Sequence, residues 1–288
     1  MKLLGDLLRL ATKYLADRQD PHARRHAEEL LSWTLNLPRL DLYLQFDRPL
    51  VEEEVAAYRK LIQQKSTGKP LEYIIGQVEF GGCQLKISPD VLIPRPETEI
   101  LLSHIIEHLN GVPDRLEVWD LCCGSGCLGL SIQRQFPHFS VTMADFSEKA
   151  VEVARENNRA AGLCAEVVLG DLLAPFKDKK ADVVVCNPPY ISKKEYDSLD
   201  RSVRDFEPEM ALLGGVTGLE FYERLSRELP QHLRAGSKVF FEIGFCQGRD
   251  VAELFQAPCW TEKILKKDWA GHDRFFFLEF ESLSLYSL

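Results

Sequence analysis

The chain has 288 residues, 45% hydrophobic and 27% charged, the make-up of an ordinary soluble globular protein with room for one large domain and a small one. A net charge of −9 disfavours a protein that grips a nucleic acid backbone, and charges every few residues in "MKLLGDLLRLATKYLADRQD" disfavour a secretory signal. No apolar run approaches the length of a membrane span, which points to the cytoplasm.

The first 70 residues read as a helical bundle. Leu3, Leu4, Leu7, Leu8, Leu10 and Ala11 open an amphipathic pattern. Asp20-Pro21, an N-capping acid before proline at the first helical position, predicts a helix over 21–35. A further helix is predicted over 52–64, with Val55, Tyr58, Leu61 and Ile62 on one side, and no strand is expected in this region. "STGKP" (66–70) closes the bundle as a loop. Residues 1–70 hold twelve Lys and Arg against ten Asp and Glu, a net of +2, which leaves −11 for the rest.

A linker over 71–95 follows. Val78-Glu79-Phe80, Gly81-Gly82 and Leu85-Lys86-Ile87 predict a β-hairpin. Pro94 and Pro96 hold "IPRPE" extended, because a residue before proline avoids the helical region, and a helix is predicted from about 98 to 109. From Arg115 the strands "LEVWDLC", "SVTMAD", "AEVVLGD", "ADVVVCN" and "KVFFEIG" alternate with helices such as "SEKAVEVARENNRAAG". That alternation predicts an α/β domain over 96–288, a mainly parallel sheet with helices on both faces. "EKILKKD" and "RFFFLEF" are separated only by "WAGHD", so the last strand is antiparallel; parallel neighbours need a long crossover.

Eight cysteines raise the question of metal or disulfides. Cys122, Cys123, Cys127, Cys186 and Cys246 lie in or beside strands, where cysteine serves as a small apolar residue, and no paired C-x-x-C knuckles occur. His22/His26 and His104/His108 have i, i+4 spacing without an H-E-x-x-H arrangement, so they read as helix-face histidines and no metal site is expected.

"VWDLCCGSGCLGL" joins the first strand of the α/β domain to its helix in the manner of a nucleotide-binding turn, with Gly124 and Gly126 allowing close backbone approach. Asp120 at the strand end would repel a pyrophosphate but suits a cofactor with a cationic end. Asp145, 25 residues beyond, ends the second strand where an acid can accept from ribose hydroxyls. "GDLL" (170–173) ends the third strand, where a base edge could be read. Singly, Asp120 and Asp145 could equally be helix-cap or loop acids. In this strand order they resemble the S-adenosyl-L-methionine site of class I methyltransferases. The resemblance implies a cofactor set of Cys122, Cys123, Gly124, Ser125 and Gly126 against the amino-acid and ribose portions. It adds Asp145 on the ribose, Asp171 and Leu172 near the adenine, and a contact from Asn187.

The fourth strand runs into Asn187-Pro188-Pro189-Tyr190 in "DVVVCNPPYI". An amide or exocyclic amino nitrogen is a poor nucleophile, because its lone pair is delocalised. It needs acceptors for its two N–H bonds, and the Asn187 side-chain oxygen and the Pro188 carbonyl supply two. Proline removes competing donors, and Tyr190 gives a flat face to a planar target. The same residues also make an ordinary strand-to-loop turn. Two methyltransferase families share this quartet: one acts on adenine amino groups in nucleic acids, the other on the glutamine amide of translation release factors. "PLEYIIGQVEFGGCQLKISPDVLIPRPETEILL", "EPEMALLGGVTGLEFYERL", "FEIG" and "DWAGHDR" strongly resemble the HemK-type (PrmC) release-factor glutamine methyltransferases, over essentially the whole chain.

That resemblance implies methyl transfer by in-line displacement to the glutamine of the Gly-Gly-Gln motif in peptide chain release factors; a monomer without direct DNA binding is expected. Asn187, Pro188 and Tyr190 are then the catalytic candidates. Pro189, Arg95, Glu97 and Thr98 join them in binding substrate, although 94–99 could instead be a rigid connector with helix-N-terminal acids. No general base is evident. Residues 1–70 are expected to dock the protein substrate. Two departures from the family stand out: Cys122 where glycine is more usual, and Leu172 where many members carry tryptophan. The rivals are an adenine methyltransferase, which would want a basic groove or a base-reading domain, and a binding-only protein with this fold.

Overall fold

The computed structural model describes residues 2–282. The chain divides into two compact units. One is Met1–Gln77 with Asp200–Phe206, and the other is Val78–Leu199 with Glu207–Leu288.

The first unit is built on helices α1 (Leu4–Ala16), α2 (Ala23–Leu35), α3 (Glu52–Lys65) and α4 (Leu71–Ile75). Their apolar stripes bury Leu4, Leu15, Leu30, Leu31 and Tyr58. The Tyr58 hydroxyl is satisfied there, donating to the Ala27 carbonyl at 2.9 Å. Three details differ from the sequence reading. α2 begins at Ala23, two residues late, because the Asp20 carboxylate accepts the His22 N–H at 2.9 Å and the His26 ring at 2.8 Å, holding an Asx turn ahead of the helix. Lys2–Leu3 and Pro49–Leu50 form a two-residue antiparallel pair where no strand is expected; two residues are too few to show alternation. α4 is likewise too short to show a helical period, and it buries Leu71 and Tyr73.

The second unit opens with the hairpin β1 (Gln77–Phe80) and β2 (Cys83–Lys86), then α5 (Pro96–Leu109), which has Pro96 in its first turn. Next come β3 (Glu117–Leu121), α6 (Cys127–Gln135), β4 (Ser140–Asp145), α7 (Glu148–Ala160), β5 (Glu166–Leu169) and β6 (Ala181–Cys186). α8 (Glu220–Glu228), β7 (Leu233–Glu242), α9 (Gly248–Leu254), β8 (Trp260–Lys267) and β9 (Asp273–Phe280) complete it. The sheet order is β8-β9-β7-β6-β3-β4-β5. β3 to β7 are mutually parallel, and β9 is antiparallel to both neighbours, as the short "WAGHD" connection requires.

Helices cover both faces. On β7 the Phe240 ring meets His108 of α5 at 5.4 Å, while Phe241, one residue on, meets Tyr222 of α8 at 5.7 Å. Burying each such phenylalanine stabilises the fold by about 1.5–3 kcal/mol. His104 and His108 thus sit edge-on against Phe275, Phe277 and Phe240. From β3 the chain winds one way to β4 and β5, whereas β6 and β7 lie on the other side, so β3 and β6 flank the topological switch point.

Candidate active site

Register aligns the carboxyl ends of the strands. Leu121 pairs with both Ala144 and Cys186, and Asp145 pairs with Leu169, so the loops after β3, β4, β5 and β6 open onto one edge. There a cavity of about 920 Å³ lies at the switch point, lined by Asp120, Cys122, Cys123, Gly124, Ser125, Asp145, Asp171, Asn187, Pro189 and Thr98, among others. Its volume falls within the roughly 300–1,000 Å³ of small-molecule sites. Its carboxylates and cations are Asp90, Asp120, Asp145, Asp171 and Glu209 against Lys149 and Arg224. Lys149 pairs with Asp90 at 3.0 Å, and Arg224 clamps both oxygens of Asp171 at 3.0 Å. Neither cation is thereby left over for Asp120 or Asp145.

Main-chain groups hold those two acids. Asp120, 1% exposed, accepts the Gly129 N–H at 2.8 Å, and a Cβ on Gly129 would stand 3.0 Å from that carboxylate and 2.5 Å from Met143. Burial pushes the Asp120 carboxyl up to about 7, against the Gly129 N–H; the charge of Asp145 adds to the rise. Asp145 accepts the N–H groups of Gly124 and Ser147, each at 2.8 Å. Burial raises its carboxyl too, with those N–H groups opposing. The loop between has positive φ at Cys122 (58°), Gly124 (53°) and Gly126 (80°). Cysteine at the first of these carries strain that glycine would avoid, on the order of 1–2 kcal/mol. A Cβ at Gly124 would meet nothing within 4 Å, so the open side of the turn faces the cavity it lines. Asn157 of α7, fully buried, ties this loop down by donating to the Ser125 carbonyl at 2.9 Å while pairing with both main-chain groups of Lys86. A small ligand with a cationic end and hydroxyl groups fits this chemistry.

At the other end, Asn187 and Pro189 line the cavity, while Pro188 is buried and Tyr190 half-buried behind them. The "LLGG" and "GLEF" stretches grip the quartet. A Cβ at Gly214 would stand 2.5 Å from the Pro189 carbonyl oxygen, and one at Gly218 would stand 2.3 Å from that of Tyr190. Gln247 donates to the Tyr190 carbonyl at 2.8 Å. Thr98, 2% exposed, donates to Glu242 at 2.7 Å and meets the Asn187 Nδ2 at 3.5 Å; the Tyr190 hydroxyl lies 3.5 Å from Glu242. Burial pushes the Glu242 carboxyl up to about 7, with the Thr98 hydrogen bond and Arg274 opposing. Burial also raises the Tyr190 phenol.

The remaining sequence candidates lie off the lining. Arg95 is bound to the buried Glu207 carboxylate, which also accepts the Ile93 N–H at 3.2 Å, so it locks "IPRPE" to "EPEM". Glu97 is half-buried in the first turn of α5. Gly126 caps α6, and Leu172, with φ of 48°, turns into the core beside Trp119 and Phe176, 4% exposed. The sequence reading did not single out Phe146, Lys149, Met210, Phe221 or Arg224 on the lining, nor Glu207 and Glu242 beneath it. Phe146 directly follows Asp145 and is 64% exposed; an apolar ring next to a strand-end acid was its available signal. Burial raises the thiols of Cys123, Cys127 and Cys186, which keeps them protonated and apolar.

Strand order, switch-point cavity and antiparallel last strand define a class I methyltransferase fold. The family profile of the methyltransferase small domain matches residues 96–205, and that of the PrmC N-terminal domain matches 6–76. The chain is 42% identical over 273 residues to a release factor glutamine methyltransferase of Chlamydia trachomatis (95% of this chain, 93% of the relative). It is 36% identical over 280 residues to that of Bacillus subtilis (95% and 96%). A methyltransferase from Pyrococcus furiosus shares the fold, with a TM-score of 0.52 and 17% identity over 70% of this chain and 90% of that one. The chain belongs to the release factor glutamine methyltransferase family. Among the described residues no helix is long and apolar enough to cross a membrane.

Proposed function

We infer that this protein transfers a methyl group from S-adenosyl-L-methionine to the side-chain amide nitrogen of the Gly-Gly-Gln glutamine in peptide chain release factors, in the cytoplasm. The observation that carries the reading is one cavity with two unlike ends: Asp120 and Asp145, carboxylates with no salt-bridge cation among the described residues, and an amide acceptor at Asn187. S-adenosyl-L-methionine, when bound, supplies an activated methyl on a cationic sulfur. Asp120 faces its ammonium, Asp145 accepts from its ribose hydroxyls, and the Cys122, Cys123, Gly124, Ser125 and Gly126 turn packs along it. Asp171, bound through both oxygens by Arg224, accepts from the adenine amino group in this reading, and Phe146 offers the apolar face that Leu172, in the core, does not.

At the amide end the Asn187 side-chain oxygen and the Pro188 carbonyl accept the two N–H bonds of the glutamine, aiming its nitrogen at the methyl. Tyr190 and Pro189 shape the slot. Catalysis is positioning and preorganised hydrogen bonding. Arg95 and Glu97 act indirectly, by fixing the segment that carries Thr98. The acidic lining disfavours a nucleic acid target, whose phosphates it would repel. The helical unit exposes Leu40 (76%) and Leu44 (84%), a surface we assign to docking the protein substrate.

Incubating the protein with labelled cofactor and purified release factor, the same factor with its Gly-Gly-Gln glutamine replaced, or DNA tests the reading. Label should enter only the intact factor. Label in DNA, or equal label in both proteins, would refute it.

A further inference from the structure

Glu242 is 1% exposed at the end of β7, yet it touches neither cavity nor solvent directly. Such burial of a carboxyl needs a reason, since an ionised carboxylate is costly away from water. Its surroundings supply one. Oε2 accepts from the Thr98 hydroxyl at 2.7 Å, Oε1 faces the Tyr190 hydroxyl at 3.5 Å, and Thr98 in turn meets the Asn187 Nδ2 at 3.5 Å. The partners come from three other segments: α5, the loop after β6 and, through Arg274, β9.

We propose that Glu242 and Thr98 are positioning residues that set which end of the Asn187 amide faces the cavity. The proposal rests on the glutamine-methylation reading. Its logic is donor and acceptor inventory. An ionised carboxylate only accepts, so the Thr98 hydroxyl must donate to it. Thr98 then has only lone pairs left, and these take the Asn187 N–H. The Asn187 oxygen is thereby turned toward the cavity, where a glutamine NH₂ needs an acceptor. When Glu242 gains a proton it donates to Thr98 instead, and the Thr98 proton is freed toward Asn187. The amide then turns over and presents N–H to N–H, which the substrate cannot use.

Protonation of Glu242 thus switches the slot off from beneath. Burial places its carboxyl at about 7, so the switch lies in the neutral range. The groups facing it are Thr98 and Glu97 from α5, Tyr190, Arg274 from β9, Tyr222 from α8 and Cys127 from α6. Of these, Arg274 favours the ionised form and Glu97 the protonated one. Tyr222 donates to the Glu242 main-chain carbonyl at 2.8 Å, not to its carboxylate.

The test compares wild type with Thr98→Val, Thr98→Ser and Glu242→Gln between about pH 5.5 and 8.5, on a glutamine peptide, with cofactor Kd measured alongside. Thr98→Val should lose about tenfold or more in kcat, with little change in cofactor Kd, and Thr98→Ser should recover most of it. Wild-type kcat should fall as pH drops through about 7, and Glu242→Gln should lack that limb. In ¹⁵N spectra without substrate, the Asn187 side-chain NH₂ should shift over the same pH range in wild type and stay still in Glu242→Gln. Unchanged kcat in Thr98→Val, an acid limb that persists in Glu242→Gln, or a static Asn187 resonance in wild type overturns the proposal. A wild type whose Asn187 resonance shifts but which transfers no methyl to glutamine overturns the functional reading instead.

Discussion

The two ends of the cavity are held in place by different means. Asp120 and Asp145 are gripped by main-chain N–H groups of Gly129, Gly124 and Ser147, all within 21 residues and mostly inside one strand-turn-helix. Asn187 is held through Thr98, 89 residues away, which in turn is held by Glu242, 144 residues further along. The first arrangement is largely local, with Asn157 tying the loop between the two acids to Lys86. The second is a side-chain chain that each link can break. Binding a cofactor and aiming an amide should therefore separate cleanly under mutation.

The largest separation should come from Asn187→Ala. Removing one preorganised partner of the reacting amide should lower turnover by about a hundredfold or more, while cofactor affinity measured by calorimetry changes far less. Asp145→Ala should do the reverse. Losing hydrogen bonds to a charged acceptor should weaken cofactor binding by about 1.5–3 kcal/mol, and saturating cofactor should restore most of the turnover. Unchanged affinity in a folded Asp145→Ala protein would return that residue to a turn-holding role. The helical unit supplies a third, milder contrast. Leu40→Asp with Leu44→Asp should raise KM for intact release factor about tenfold and leave a short glutamine peptide untouched; equal effects on both would remove the docking role.

The smallest effect concerns pH at the cofactor end. The Asp120 carboxyl is pushed up to about 7, so it is partly protonated in neutral solution. A cationic ligand favours the ionised form, so affinity should fall as pH drops below about 7, by at most about tenfold per unit, and Asp120→Asn should abolish the slope. This loss would appear in Kd, whereas the Glu242 effect would appear in kcat, which tells the two buried carboxyls apart.

The same contrast explains what the sequence made legible. Alternating strands and helices predict the parallel sheet, and the five-residue "WAGHD" connection predicts its antiparallel last strand, because both rest on local periodicity and loop length. The turn from Asp120 to Gly126 is legible because its acid and its glycines lie within seven consecutive residues. The sequence makes Thr98 a substrate-binding candidate, but its bond to Glu242 is not legible there, since nothing local marks a glutamate at the end of β7 as buried. Arg224 on Asp171 escaped for the same reason, 53 residues apart. Leu172 falls near the adenine only by the family resemblance, and the structure buries its side chain in the core at a φ of 48°. Short elements such as Leu71–Ile75 and the pair Lys2–Leu3 with Pro49–Leu50 carry no period to detect.

Tandem mass spectrometry of release factor treated with wild-type protein and S-adenosyl-L-methionine tests the central claim most directly. A single added methyl on the side-chain nitrogen of the Gly-Gly-Gln glutamine, nearly absent with Asn187→Ala, is the predicted result. A methyl on any other residue, or equal modification by the two proteins, would contradict it.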